Sequence, residues 1–132
     1  MNQGQVALEY MFVIGVAITI LIPLFFIYSD QSSDFICRVD QEHAYIAGQQ
    51  IADTAETVFY LGYPSQADVR VRLPTSMKAG TIANRELVFN VCNTNEVEVI
   101  IPTSINMTGT LPSNGGIYVL QVENKGTYVE IS

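Results

Sequence analysis

The sequence predicts an α+β fold: a long N-terminal hydrophobic helix continuing into an amphipathic helix, packed against a small C-terminal antiparallel β domain. Three observations predict it. From Val6 to Tyr28 the chain is apolar except for one charge, Glu9. From Asp34 to Leu61 apolar residues recur at three- and four-residue steps, the period of a helix with one buried face. After Gly62 the period falls to two, in short runs separated by Gly, Asn and Pro, as strands and turns require. The expected divisions are residues 1–4, a short polar leader; 5–33, the hydrophobic helix and its polar exit; 34–62, the amphipathic helix; and 63–132, a β-rich head.

At 132 residues the chain has room for one small domain beside such an anchor. Its net charge of −7 gives no general attraction to phosphate backbones, so no specific nucleic-acid partner is expected. Arg70, Arg72, Lys78 and Arg85 hold most of the positive charge, and the reading adopted for them is a solvated strand face.

The Val6–Tyr28 run rises roughly 35 Å as a helix, enough to cross a hydrocarbon core. It is apolar all round, so its whole surface needs lipid or protein against it. Glu9 is the exception, because a carboxylate at bilayer centre costs about 3 kcal/mol, and an acid inside such a segment marks function. No Lys or Arg precedes the run and no small-residue site ends it, so an ordinary secretory signal is excluded. Pro23 removes one helical hydrogen bond and is expected to kink or loosen the helix near Thr19–Leu24. Gly15 offers a close-packing spot for a neighbouring helix.

Ser29–Asp34 is a polar patch with two readings: Ser33 or Asp34 caps a new helix, or the anchor and the helix that follows form one nearly continuous rod. The stripe that follows takes in Ile36, Val39, His43, Ile46, Ala47, Ile51, Ala55, Val58 and Phe59, and Gly62 with Pro64 ends it. His43 is the only histidine and is read as a packed side chain, since no ligand constellation gathers around it.

Val69, Val71 and Leu73 alternate with Arg70 and Arg72, which puts the apolar residues on one strand face. Further strands are expected at Glu86–Cys92, Glu96–Ile101, Gly116–Val122 and Thr127–Ile131, with a shorter one near Gly109–Leu111 and a turn at Asn93-Thr94-Asn95. The last pair, joined through Glu123-Asn124-Lys125-Gly126, reads as a hairpin.

No phosphate loop, zinc motif or nucleophile elbow is present. Glu96 and Glu98 read as solubilising residues of one strand face rather than an acid–base pair. No catalytic residue, cofactor or metal is assigned, and the chain is not expected to be an enzyme. The two cysteines, Cys37 and Cys92, are either a disulfide, if the head lies outside the cell, or two separate buried thiols. As a disulfide they close a loop of roughly 50 residues and stabilise by about 4 kcal/mol in the chain-entropy view. Asn106-Met107-Thr108 is an N-glycosylation acceptor, which predicts that Asn106 lies on the exterior.

Gly4 followed by Gln5-Val6-Ala7-Leu8-Glu9-Tyr10 and an unbroken apolar helix resembles the class III signal sequence of archaeal type IV pilin-like proteins. The Lys or Arg usual before that glycine is replaced here by Asn2-Gln3. The order Leu73-Pro74, Leu87–Val91, Thr108–Ser113 and the closing Ile117–Ile131 strands is similar to the β-rich head of many such proteins. The resemblance implies a type IV pilin-like fold and cleavage between Gly4 and Gln5 by a prepilin peptidase. It assigns assembly to Gln5, Glu9 and Tyr10. It implies homopolymerisation through the hydrophobic helix, with a pilus assembly ATPase and membrane platform as partners. The precursor is then in the cell membrane and the assembled subunit in an extracellular filament for adhesion or cell contact, often glycosylated. Two other roles stand beside it, a minor pilin or pseudopilin and a monomeric membrane-anchored binding ectodomain.

Overall fold

The computed structural model describes residues 3–92 and 96–132, without the side chains of Gln3, Asp30, Ser32 and Ser33. The leader residues Met1 and Asn2 and the turn at Asn93-Thr94-Asn95 lie outside the described residues. The chain is an α+β protein: among the described residues one helix, α1 (Gln3–Leu61), is followed by seven strands. It divides into two compact units, Met1–Ile36 and Cys37–Ser132.

In the first unit α1 carries the apolar run and continues through Pro23. Of the two expectations, the single continuous helix is found and the new start at Ser33 or Asp34 is not, since α1 passes through Ser29–Asp34. A polar patch does not break a helix when its backbone can keep its own hydrogen bonds, and Ser and Asp are only weakly unfavourable inside one.

The second unit is the head. Its strands are β1 (Gln66–Leu73), β2 (Ala79–Ala83), β3 (Glu86–Val91), β4 (Val97–Pro102), β5 (Met107–Gly109), β6 (Gly116–Asn124) and β7 (Val129–Ile131). They form two sheets, ordered β1-β6-β7-β5 and β2-β3-β4. The β6–β7 hairpin is as expected, with Val122 opposite Ile131 and Asn124 opposite Val129. Its turn uses Gly126 at φ 97°, a conformation that favours glycine. The short strand expected near Gly109–Leu111 begins earlier, at Met107, and pairs in parallel with β7.

The core gathers alternate strand residues, among them Val71, Leu87, Phe89, Val91, Val122, Val129 and Ile131, all at most 1% exposed. Burying each such side chain stabilises by about 1.5–3 kcal/mol. The helix meets them through Ala44, Ala47, Ile51, Ala52, Ala55 and Val58, with Gly48 also buried. A Cβ on Gly48 would stand 2.5 Å from Ile101 Cδ1 and 2.8 Å from Phe89 Cε2, so the glycine is what allows this close approach.

The buried stripe therefore differs from the predicted one in its first half. Ile36, Val39 and Ile46 are 60%, 36% and 50% exposed, and His43 is exposed rather than packed. The small residues carry little hydrophobic weight in the sequence, yet they let sheet and helix come together, and close packing decides which face is inside.

The end of α1 is capped from the sheet. Asn124, at the end of β6, is 1% exposed. Its Nδ2 donates to the Val58 and Phe59 carbonyls, both at 3.1 Å, and its Oδ1 accepts from Gly126 N at 2.7 Å. Helix ends leave carbonyls without partners, and this side chain fills that need along with Gly62, at φ 86°, whose N–H donates to Phe59 O at 3.1 Å.

Candidate functional site

The first candidate site is the apolar run of α1. Leu8, Tyr10, Met11, Phe12, Phe25 and Tyr28 are between 65% and 77% exposed. The helix is long and apolar enough to cross a membrane and is compatible with membrane anchoring. Its hydroxyls are turned inward to the backbone: Thr19 Oγ1 donates to Gly15 O at 2.7 Å and Ser29 Oγ to Phe25 O at 3.0 Å. That removes their donors from an apolar setting, where an unmade bond is expensive.

Gly4, Gln5, Glu9 and Tyr10 all lie on this helix and are exposed. Nothing stands within 4 Å of the position a Cβ would take on Gly4. Gln5 and Glu9 are four residues apart, so they share one face a single turn from each other. Among the described residues Glu9 takes part in no ion pair. What the segment offers chemically is a wide apolar surface with one carboxylate near its N-terminal end, beyond the first helical turn.

The second candidate is Asn106, just before β5. Asn106 and Thr108 are exposed, and Met107 between them is buried at 4%. Strand alternation therefore turns both acceptor-motif side chains to solvent. Asn106 Oδ1 accepts from Arg85 Nε at 3.1 Å, while its backbone carbonyl accepts from Val129 N at 3.0 Å. An open concavity of about 970 Å³ lies here, lined by Asn84, Arg85, Glu86, Asn106, Thr108 and Tyr128, with Ala83 and Met107. The Arg85–Asn106 contact was not legible in sequence, since it joins the β2–β3 turn to the residue before β5, 21 positions on.

Cys37 and Cys92 form a disulfide, with Cα atoms 5.5 Å apart. Of the two readings the sequence left open, the structure holds the bridge. It ties the first residue of the head unit to the end of β3. A second tie that sequence did not suggest joins Glu56 to Ser104: Glu56 Oε1 accepts from Ser104 N at 3.0 Å and from Ser104 Oγ at 2.7 Å. The backbone N–H of Ser104, then its hydroxyl, hold the Glu56 carboxyl below its usual range.

The basic residues do not form one face. Lys78 pairs with Glu96 at 2.9 Å, which gives Glu96 a structural partner. Lys125 bridges Glu123 at 2.8 Å and Glu130 at 3.4 Å. Arg70 and Arg72 stay exposed on β1. Among the described residues no group of three or more His, Cys, Asp or Glu side chains is placed to hold a metal ion.

No family model, curated protein or solved structure matches the chain.

Proposed function

We propose that this chain is a structural subunit of an archaeal type IV pilus-like surface filament, assembled through the Val6–Tyr28 helix. The observation that carries the reading is an apolar helix surface exposed on all sides with a single acid, Glu9, one turn from Gln5 and in no ion pair among the described residues. In the proposed pathway the helix first anchors the precursor in the membrane. A prepilin peptidase then hydrolyses the Gly4–Gln5 amide, leaving a carboxylate on Gly4 and a free amino group on Gln5. The new ammonium, from the same or a neighbouring subunit, neutralises Glu9 as the helices gather and exclude water. The lasting environment of the helix is then other copies of itself, with the disulfide-closed head outside the cell, where such bonds persist.

Electron microscopy of surface filaments with N-terminal sequencing of their subunit tests this reading. A subunit beginning at Gln5 supports it; a cell-bound monomer that keeps residues 1–4 points to an anchored ectodomain instead. Glu9→Ala is expected to lower filament yield while the Cys37–Cys92 head still oxidises. Wild-type yield from that variant would remove Glu9 from assembly.

A further inference from the structure

Strand β1 is an edge of its sheet, ordered β1-β6-β7-β5. The phase of its hydrogen bonds follows from its neighbours. Asn124 N donates to Ser65 O, and Gln121 and Ser132 bond each other in both directions. With the two registers, this turns the even-numbered residues of β6 to β1 and the odd-numbered ones to β7. In β1 the odd-numbered residues therefore bond β6. The N–H and C=O groups of Gln66, Asp68, Arg70 and Arg72 point the other way, to the open edge. None of them meets a backbone partner there among the described residues.

Such an edge is a template for another strand, and proteins blunt it with proline, lysine, a bulge or short length. Two other edges are blunted in this way: β5 is 3 residues long and β4 ends in Pro102. Strand β1 is 8 residues long and contains neither proline nor lysine, and it pairs one to one with β6, without a bulge. Its prolines, Pro64 and Pro74, stand just outside it.

What fits this edge is a second copy of itself. Two antiparallel β1 strands can exchange bonds only between even-numbered residues, which alone have outward groups. One register sets Pro64 opposite Pro74 of the second copy and keeps both out of the ladder. Every other register brings a proline, which has no N–H, opposite an outward-facing residue. The same register sets Asp68 opposite Arg70 of the second copy and Arg70 opposite its Asp68. Gln66 falls opposite Arg72, and Val69 meets Val69 on the two-fold axis. Asp68, Arg70 and Arg72 are exposed and form no ion pair within the copy among the described residues. Facing opposite charges stabilise a strand pair and facing like charges destabilise it. The next register on one side sets Arg70 against Arg70, and on the other side Asp68 against Asp68. Charge and proline thus select the same pairing.

We infer that two copies join edge to edge through β1 in this register, forming one sheet ordered β5-β7-β6-β1-β1-β6-β7-β5. Main-chain bonds supply the affinity, and Asp68 and Arg70 fix the register. The contact is isologous and closes after two copies, so it builds no polymer and does not rest on the filament reading.

The test uses two full-length variants, Gln66→Cys and Arg72→Cys, co-expressed in one membrane and mildly oxidised. In the inferred pair, positions 66 and 72 of facing copies have Cα atoms about 5.5 Å apart, within disulfide reach. Like positions lie roughly 20 Å apart. The expected product is a covalent dimer whose bridge maps between position 66 of one copy and position 72 of the other, and neither variant alone should yield it. Asp68→Arg in both chains should lower the yield about tenfold, and adding Arg70→Asp should restore it. All four positions are exposed, and retention of the Cys37–Cys92 bridge checks folding. A dimer formed equally by one variant alone, no mapped bridge in the folded chains, or a yield indifferent to the charge exchange overturns the inference. Micrographs of the same cells keep the two proposals apart. Filaments without the mapped bridge sink this contact alone, and the mapped bridge without filaments sinks the filament reading alone.

Discussion

Replacing Asn124 tests the idea that the head is held to its helix by a buried polar clamp. The side chain makes three hydrogen bonds, two to the Val58 and Phe59 carbonyls and one from Gly126 N. Neither carbonyl is wholly orphaned by its loss, because Ser65 Oγ also donates to Val58 O and Gly62 N to Phe59 O. Gly126 is exposed, so its N–H turns to water. The cost of Asn124→Ala is then close to the net worth of the bonds, about 1 kcal/mol each, or about 2–3 kcal/mol in all. Asn124→Asp should cost more at neutral pH. It offers no donor and sets a buried carboxylate against two carbonyl oxygens. Burial raises the carboxyl pKa, so the aspartate penalty should shrink as pH falls and the protonated acid regains a donor. Urea unfolding of the full chain in detergent micelles measures this, read by near-UV circular dichroism of the seven tyrosines in a protein without tryptophan. An alanine variant within about 0.5 kcal/mol of wild type, or an aspartate variant as stable as alanine at neutral pH, would refute the clamp.

Glu56 is held below its usual carboxyl range by the Ser104 N–H first and the Ser104 hydroxyl second. Its folded pKa is depressed, so its contribution is present above the unfolded value and lost as pH falls through the folded one. The stability gap between wild type and Glu56→Gln should therefore narrow between about pH 6 and about pH 3; a gap constant with pH refutes the link. Cys37→Ser with Cys92→Ser opens a covalent loop across a sequence separation of 55 and should lower unfolding free energy by about 4 kcal/mol, with no change on adding reductant to the double variant. Gly48→Val should destabilise by about 2 kcal/mol or more through overpacking, despite removing a helix glycine, because Ile101 and Phe89 occupy the space. Calorimetry that finds it neutral shows that the sheet can back away.

Where the sequence was informative, two periods did the work. The alternation of Val69, Val71 and Leu73 with Arg70 and Arg72 is reproduced in the burial of β1. The turn chemistry of Asn124 and Gly126 marked the β6–β7 hairpin. Strand β2 was missed because Ala79, Gly80 and Ala83 outnumber its two strand formers, Thr81 and Ile82; pairing with β3 fixes it, with Thr81 opposite Val88. Asn124 read as a turn residue, since nothing local distinguishes a turn asparagine from one that reaches back to a helix end 65 residues away. The candidate assembly residues Gln5, Glu9 and Tyr10 were legible as an acid in an apolar run, and their specific roles only through resemblance. Arg85 and Asn106 meet through the fold alone.

The disulfide also has a mechanical meaning. A pull entering the head from its N-terminal side reaches Cys37 first, and the Cys37–Cys92 bond carries it across to the end of β3. Residues 38–91 lie inside the covalent loop and cannot be drawn out by such a load. That protects the whole head portion of α1, strands β1 to β3 and the Gly62 turn from extension. Only the chain beyond Cys92 is left to yield. A pull between the two ends of the head would lengthen it by giving up β4 to β7, and the head portion of α1 would not have to be rebuilt on release.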